Sequence, residues 1–283
     1  MSPDDGYLLD NRQREAGTRF DEIGALFDPG TFRHLDRIGI GAGWRCWEVG
    51  TGGASVPREL ARRVAPGGRV LATDLDLSWA ASAAEDGVEL RRHDVGTDAP
   101  PDGSFDLVHA RLVLVHVVRR ESALRSMIEA LRPGGWLLVE DADPALQPLA
   151  CPDEPGPAER LANSIRRGFR ALLASRGAEM AYGRTLPRLL REAGLVDVEA
   201  EVWFPLGGPT CSRLEAATVT QLRPLLVAHG HATHEELDAH LAALAAGSLD
   251  LATAPMVSVR GRRPDGPDSP EGPDAAGARE GDR

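Results

Sequence analysis

From Trp44 to Asp141 short apolar runs alternate with amphipathic segments, and that alternation restricts the chain to a parallel sheet wound with helices. "WRCWEV" is strand-like, and "RVLATD" is nearly continuously apolar, as strands are when a parallel sheet buries both their faces. "VELRRHD", "FDLVHA" and "GWLLVED" predict three more strands. Between the first two, Ser55 is placed to cap a helix with Val56, Leu60 and Val64 on one face, Pro57 being tolerated in its first turn. "APGG" stops that helix. "ESALRSMIEAL" sets Leu124, Met127, Ile128 and Leu131 on a common face, and "RPGG" after it predicts a helix stop and turn.

The second half changes character. "ERLANSIRRGFRALLASRG" is an amphipathic helix with Leu161, Ile165, Phe169 and Leu172 in register, and "LPRLLREAG" is a shorter one. "VDVEAEVWF" alternates with period two, which predicts a strand with Val196, Val198, Ala200, Val202 and Phe204 on one side. "SRLEAATVTQLRPLLVAHG" and "HEELDAHLAALAA" are two further helices, the second opened by the capping box Thr233…Glu236, before a last strand at "PMVSVRGR". Helices inserted between the last two strands stand where a lid over the sheet's carboxyl edge would sit. The expected organisation is a helical N-terminal cap segment over 1–40 and a main domain over 41–262. Within that domain lie a core (41–145) and substrate-side helices with a lid (155–250). A disordered tail, rich in proline, glycine and acid, follows over 263–283.

Composition removes several classes of function. All basic side chains are arginine, since the sequence contains no lysine, which excludes a Schiff-base lysine, a phosphate-loop lysine and a lysine general base. The formal net charge of −11 disfavours nucleic acid as the main partner. The polar, acidic start and the absence of any run of eighteen apolar residues predict neither a secretory signal nor a membrane anchor. Three widely spaced cysteines fit a reduced compartment, and the expected location is cytoplasmic. The histidines of "HGHATH" (His229, His231, His234) match no ordinary zinc spacing, so no metal site is expected.

The stretch "EVGTGGAS" lets a ligand approach the backbone at Gly50, Gly52 and Gly53, where no Cβ intervenes. The dinucleotide fingerprint G-x-G-x-x-G is broken by Ser55, which weakens a nicotinamide-dependent oxidoreductase reading. Asp74 ends the second strand, where a carboxylate can accept hydrogen bonds from both hydroxyls of a ribose, and Asp94 ends the third, suited to an adenine amino group. In this order and spacing "EVGTGGA", "ATDLD", "HDVGTDAPPDGSFDLVHA" and "LRPGGWLLVED" resemble the class I S-adenosylmethionine-dependent methyltransferases over roughly residues 40–142. The family's third glycine is Ala54 here. The resemblance implies an α/β fold: a Rossmann-like, doubly wound, mostly parallel seven-stranded sheet, with a helical lid insertion near the C-terminus. It further implies that Glu48, Gly50, Thr51 and Gly52 line the methionine half of S-adenosylmethionine. By the same correspondence Asp74 holds the ribose, Leu75 lies beside the adenine, Asp94 and Val95 meet the adenine edge, and Ala110 and Arg111 lie near the sulfonium.

The sulfonium methyl is already electrophilic, so such an enzyme mainly aligns a nucleophile with it. A hydroxyl or ammonium acceptor also needs a base. His109, His116, Asp141 and Asp143 lie near strand ends, and His116 and Asp141 are the expected catalytic pair. "HARL" after the fourth strand replaces the Asn/Asp-Pro-Pro-aromatic turn of many enzymes that methylate base or amide nitrogens. The apolar lid, with Leu214, Leu222, Leu225, Leu226, Leu237, Leu241 and Leu244, points to an enclosed small-molecule substrate rather than nucleic acid or membrane. The expected activity is O- or N-methylation of a small molecule, in bacterial specialised metabolism, by a protein that could form a homodimer. The alternative is a protein that binds S-adenosylmethionine for a cyclisation or rearrangement, or as a non-catalytic partner.

Overall fold

A computed structural model describes residues 8–9 and 14–266; most of the expected tail, over 267–283, and most of the first thirteen residues lie outside the described residues. A long helix α1 (Arg14–Ile38) precedes the alternation β1 (Arg45–Val49), α2 (Ser55–Val64), β2 (Arg69–Asp74), β3 (Glu89–Arg92), β4 (Phe105–Arg111), α3 (Arg120–Glu129) and β5 (Leu131–Ala142). There follow α4 (Pro157–Ser175), α5 (Leu186–Glu192), β6 (Val196–Trp203), α6 (Gly208–Ala228), α7 (His234–Ala245) and β7 (Met256–Arg262). The seven strands form one sheet in the order β3-β2-β1-β4-β5-β7-β6, and β7 alone runs against its neighbours. The strand order reverses between β1 and β4, and in open α/β sheets ligands bind at the carboxyl ends beside such a reversal.

Strand alternation divides the core between the two faces. Trp47, Val49, Val108, Leu137 and Val139 point to one face, under α3 and α5, with Met127, Leu186 and Leu190. Cys46, Val70, Ala72, Leu107 and Leu138 point to the other, under α1 and α2, with Leu35, Val56, Leu60 and Val64. Each fully buried leucine of this set contributes about 1.5–3 kcal/mol relative to exposure. The two helices inserted between β6 and β7 pack with α4 through Leu222, Leu226, Leu237, Ile165 and Leu172, and α1 packs on α6. The capping box of α7 forms as expected: Thr233 Oγ1 accepts from the Glu236 N–H, and the Glu236 carboxylate accepts from the Thr233 N–H.

Three local expectations are corrected. Ser55 is the first residue of α2 rather than its cap; its hydroxyl donates instead to Asp28 Oδ1 on α1 at 3.3 Å. "RPGG" does not separate α3 from the fifth strand, because β5 already begins at Leu131. The motif is a bulge, across which the pairing jumps from Phe105↔Leu131 to Leu107↔Trp136 with Gly134 at φ +73°. The apolar side of β6 is not a buried face. This strand is the sheet's edge, Asp197 interrupts it at φ +53°, and Val202 and Phe204 stay 53% and 41% exposed while Val198 reaches the core.

On the α1 face the two-residue period stacks polar side chains above the apolar ones. Glu48 stands two residues beyond Cys46, His109 two beyond Leu107 and Glu140 two beyond Leu138, with Glu48 directly opposite His109. His109 bridges the two carboxylates, with Nδ1 at 2.6 Å from Glu48 Oε2 and Nε2 at 3.1 Å from Glu140 Oε2. Glu140 also accepts from Ser258 Oγ on β7 at 2.7 Å and from Thr31 Oγ1 on α1 at 2.5 Å. Burial alone would lower the imidazole's pKa, but the charges and hydrogen bonds of Glu48 and Glu140 outweigh it and raise His109 to about 9. Burial would likewise raise Glu140, yet His109 and Arg111 hold it down at about 2.

A His109 pKa raised from 6.5 to about 9 stabilises the fold fully below pH 6.5, and the gain is lost as pH rises through about 9. The predicted loss over that range is about 3 kcal/mol, read as a lower urea midpoint at pH 9.5 than at pH 6. His109→Gln is predicted to lower the midpoint at pH 6 and to flatten this pH dependence. Equal wild-type midpoints at both pH values contradict the assignment.

Candidate active site

A cavity of about 1960 Å³ lies across the carboxyl ends of β1 to β4 and extends beneath α1, α4 and α6. Single-ligand pockets measure about 300–1,000 Å³, so this one has room for two molecules side by side.

At the sheet end, the chain leaves β1 through Gly50 at φ +63° and Gly52 at φ +55°, conformations that side chains rarely adopt. A Cβ at Gly50 would meet Val113, and one at Gly52 would meet the ring of Phe20 on α1, so both positions require glycine sterically as well. The Gly52 N–H donates to Asp74 Oδ2 at 2.8 Å and the Asp76 N–H to Oδ1 at 3.1 Å. A carboxylate has about four acceptor positions, so Asp74, met by the backbone N–H groups of Gly52, Asp76 and Leu75, keeps acceptor capacity for a ligand. Burial raises the Asp74 pKa above the ordinary carboxylate value despite these N–H donors, so additional donors from a ligand would stabilise its charged form. Asp94 Oδ1 accepts from the Gly96 N–H at 2.9 Å, and the Asp94 N–H donates to Asp98 Oδ2 at 2.8 Å. Thr51 binds across the turn, its hydroxyl donating to Gly53 O at 2.9 Å. Leu112, at the end of β4, lines the same cavity at φ +58°, a left-handed conformation that costs a leucine about 1–3 kcal/mol.

Glu48, Gly50, Thr51, Gly52, Asp74, Leu75, Asp94, Val95 and Arg111 all stand on the cavity wall. Ala110 does not. It points to the opposite face of β4 and is buried in the core with Val108 and Val139. Two residues on the wall are held by other parts of the fold: Glu48 by His109, and Arg111 by Asp28 Oδ1 at 2.8 Å and Thr31 Oγ1 at 2.9 Å on α1.

Of the four candidate bases, His116 alone lines the cavity. Burial, then the nearby Arg19 and Arg120 charges, push its pKa down to about 4, so it is neutral at pH 7. Asp141 is displaced from the expected role. It lies beneath the wall, where Oδ2 accepts from the Val115 N–H at 3.1 Å and burial raises its pKa to about 7. Its pKa suits a general base, but its position suits holding the loop after β4. His109 is locked between two carboxylates, and Asp143 is bound bidentately by Arg184 at 2.7 and 2.6 Å.

Substrate-side helices with Leu214 and Leu225 were expected around the far half of the cavity, but the share of α1 and the arginine lining were not. α1 contributes Arg19, Phe20, Ile23 and Phe27; α4 contributes Arg166, Phe169, Arg170 and Leu173; α6 contributes Leu214, Glu215, Gln221 and Leu225. Of the seven leucines expected in the lid, Leu214 and Leu225 face the cavity, whereas Leu222, Leu226, Leu237 and Leu241 join the helices to one another and Leu244 packs beneath. The missed signal was in α1, where residues 19, 23 and 27 recur every four positions on one helix face.

The methyltransferase domain family matches residues 47–139, the segment from β1 to β5 that carries the glycine turn, Asp74 and Asp94. The chain carries a class I S-adenosylmethionine-dependent methyltransferase domain. Methyltransferase str2 of Strobilurus tenacellus is 39% identical over 108 residues, covering 36% of this chain and 36% of that protein. Methyltransferase str3 of the same organism is 30% identical over 163 residues, covering 56% of this chain and 55% of that one. The chain thus matches about half or less of these curated relatives' length. Beyond the domain, a phosphoethanolamine N-methyltransferase 2 of Haemonchus contortus, solved with phosphomonomethylethanolamine and S-adenosylhomocysteine, shares the fold. Its TM-score is 0.56 at 17% identity, covering 91% of this chain and 59% of that one. The family match ends near β5, while the likeness in fold runs on through the later helices and strands.

Asp74→Ala is predicted to weaken S-adenosylhomocysteine binding at least tenfold, the worth of one charge-assisted hydrogen bond, about 1.5–3 kcal/mol. The folded state is predicted to survive, with an unchanged far-ultraviolet spectrum. Unaltered affinity in calorimetry contradicts the ribose role.

Proposed function

We propose that the protein transfers the methyl group of S-adenosylmethionine to oxygen or nitrogen of a small-molecule acceptor held in the same cavity. The observation that carries this reading is the continuity of one 1960 Å³ space from the glycine turn, Asp74 and Asp94 to a half lined by α1, α4 and α6. In this proposal Asp74 accepts both ribose hydroxyls, Asp94 and Val95 border the adenine, Leu75 packs beside it, and the Gly50–Gly52 backbone approaches the methionine half. The positive-φ glycines and the remaining acceptor positions of Asp74 support that fit. When bound, S-adenosylmethionine supplies an electrophilic methyl on a positively charged sulfur.

The chain's own residues then have to orient the acceptor and exclude water. Proximity and orientation supply about 7–11 kcal/mol of such a barrier. His116, neutral at pH 7, can accept a hydrogen bond from the acceptor, but a base with pKa about 4 removes a proton from an aliphatic alcohol very poorly. The reading therefore favours acceptors that present a ready lone pair, a neutral amine or an ionised phenol. The same weak base is what supports the second reading, a non-methylating use of the cofactor. The mostly apolar lining of the cavity supports a small molecule over nucleic acid. Among the described residues no helix is long and apolar enough to cross a membrane.

Incubation with methyl-deuterated S-adenosylmethionine and a small-molecule extract of the source organism tests the proposal by mass spectrometry. A labelled metabolite and S-adenosylhomocysteine are expected, with His116→Ala slowing their formation by up to about tenfold, the worth of one hydrogen bond to the acceptor. For the wild type, His116 is expected to contribute a flat rate from pH 8 to pH 6. Binding of the cofactor without any S-adenosylhomocysteine formed would overturn methyl transfer in favour of the non-methylating reading.

A further inference from the structure

The two halves of the cavity differ in charge. At the sheet end five carboxylates, Glu48, Asp74, Asp76, Asp94 and Asp98, line the wall against three arginines, Arg92, Arg111 and Arg119. At the far end the wall carries Arg19, Arg166, Arg170 and Arg176 against one carboxylate, Glu215. In a chain of net charge −11 this is a local reversal of sign, and it is built rather than incidental. Arg166 is 7% exposed; its Nη2 donates to Glu215 Oε2 at 2.7 Å and its Nη1 to Ala252 O at 3.2 Å, while its Nε is buried without a hydrogen-bond partner. Arg170, one turn further along the same face of α4, reaches Pro148 O at 3.4 Å and also leaves its Nε buried without a partner. Across from them Arg19, nearly fully buried on α1, is oriented by Gln221 Oε1 at 3.1 Å. His240 approaches the other oxygen of Glu215 at 3.7 Å, so Glu215 is engaged on both sides. Phe27, Phe169, Leu173, Leu214 and Leu225 supply the apolar wall around these cations.

We propose that this face recognises an anionic group, a carboxylate or a phosphate, on an otherwise apolar acceptor. The inference rests on the methyl-transfer reading for the word acceptor, but the binding itself does not. Buried donors without partners are costly unless a ligand satisfies them. The guanidinium fork matches both carboxylate and phosphate geometry, and such charge-assisted bonds are stronger than neutral ones. The positive field is felt nearby, since after burial the Arg19 charge is the next cause lowering the pKa of His116. With the anion anchored on α4 and α1, the acceptor's other end extends past His116 toward the glycine turn.

The test is calorimetric titration of the full chain with 2-naphthoate, 2-naphthyl phosphate and the neutral 2-naphthamide, each with and without S-adenosylhomocysteine. At least one anion is expected to bind tenfold or more tighter than the amide, and whichever anion does so assigns carboxylate or phosphate. Arg170→Gln is expected to reduce that margin below threefold. Arg188→Gln, which removes an exposed i,i+4 pair with Glu192 elsewhere on the surface, is expected to keep it. Because Arg166→Gln alone strands the Glu215 carboxylate, the double variant Arg166→Gln/Glu215→Gln provides a second version of the test that retains neutral pairing. An amide that matches both anions, a margin that survives in Arg170→Gln, or no anion binding at millimolar concentration overturns the proposal. The titration without S-adenosylhomocysteine reads the arginine face directly, so failure of the cofactor reading is seen separately as failure of S-adenosylhomocysteine to bind.

Discussion

The strands on either side of the order reversal and the helix α1 above them are tied together by the buried bridge from Glu48 through His109 to Glu140. Its three residues come from β1, β4 and β5, the strands on either side of the order reversal, and Glu140 adds β7 through Ser258 and α1 through Thr31. Arg111 extends the network to Asp28, so α1 is fastened over the carboxyl ends of the strands by charge as well as by packing. Breaking a buried pair on one side is strongly destabilising because it leaves an uncompensated charge. The network therefore fixes where α1 lies, and α1 in turn places Phe20 against Gly52 and Arg19 against the far wall. Glu48 thus has a structural partner that a motif-based assignment to the cofactor does not reveal.

The proposed division of the cavity between cofactor and acceptor follows the charges on its wall. The strand ends present carboxylates and open backbone to a ligand rich in hydroxyl and amino donors. The helices present guanidinium groups among aromatic and aliphatic side chains. His116 stands between these halves, and its low basicity follows from that position, in a buried wall beside cations. An acceptor with its own lone pair suits such a site better than one that must be deprotonated.

The fold up to β5 was legible because parallel strands buried on both faces are nearly continuous apolar runs, and because the glycine and aspartate positions fall at their ends. That rule alone put Asp74 and Asp94 at strand ends, and both stand on the cavity wall. Ala110 and Asp141 were misplaced by the two-residue alternation of a strand: neighbours along the chain point to opposite faces, and both these residues point away from the cavity. His109 and Glu140 could not be paired in advance, since the pairing depends on the register of β4 against β1 and β5. The arginine face is assembled from helices far apart in sequence, α1, α4 and α6, and no local pattern brings residues 19, 166 and 221 together. The exposed side of β6 misled for a different reason. A period-two pattern identifies a strand but does not say whether anything covers it.

The cofactor assignment depends on one ligand position, so the most direct measurement is a crystal structure with S-adenosylhomocysteine bound. The predicted result has both ribose hydroxyls within about 2.6–3.0 Å of the Asp74 carboxylate. The adenine would then lie beside Asp94 and Val95, and the sulfur would face His116 and the arginine-lined half. A ligand bound in the reverse sense, with its adenine among Arg19, Arg166 and Arg170, would contradict both the cofactor assignment and the division of the cavity built on it.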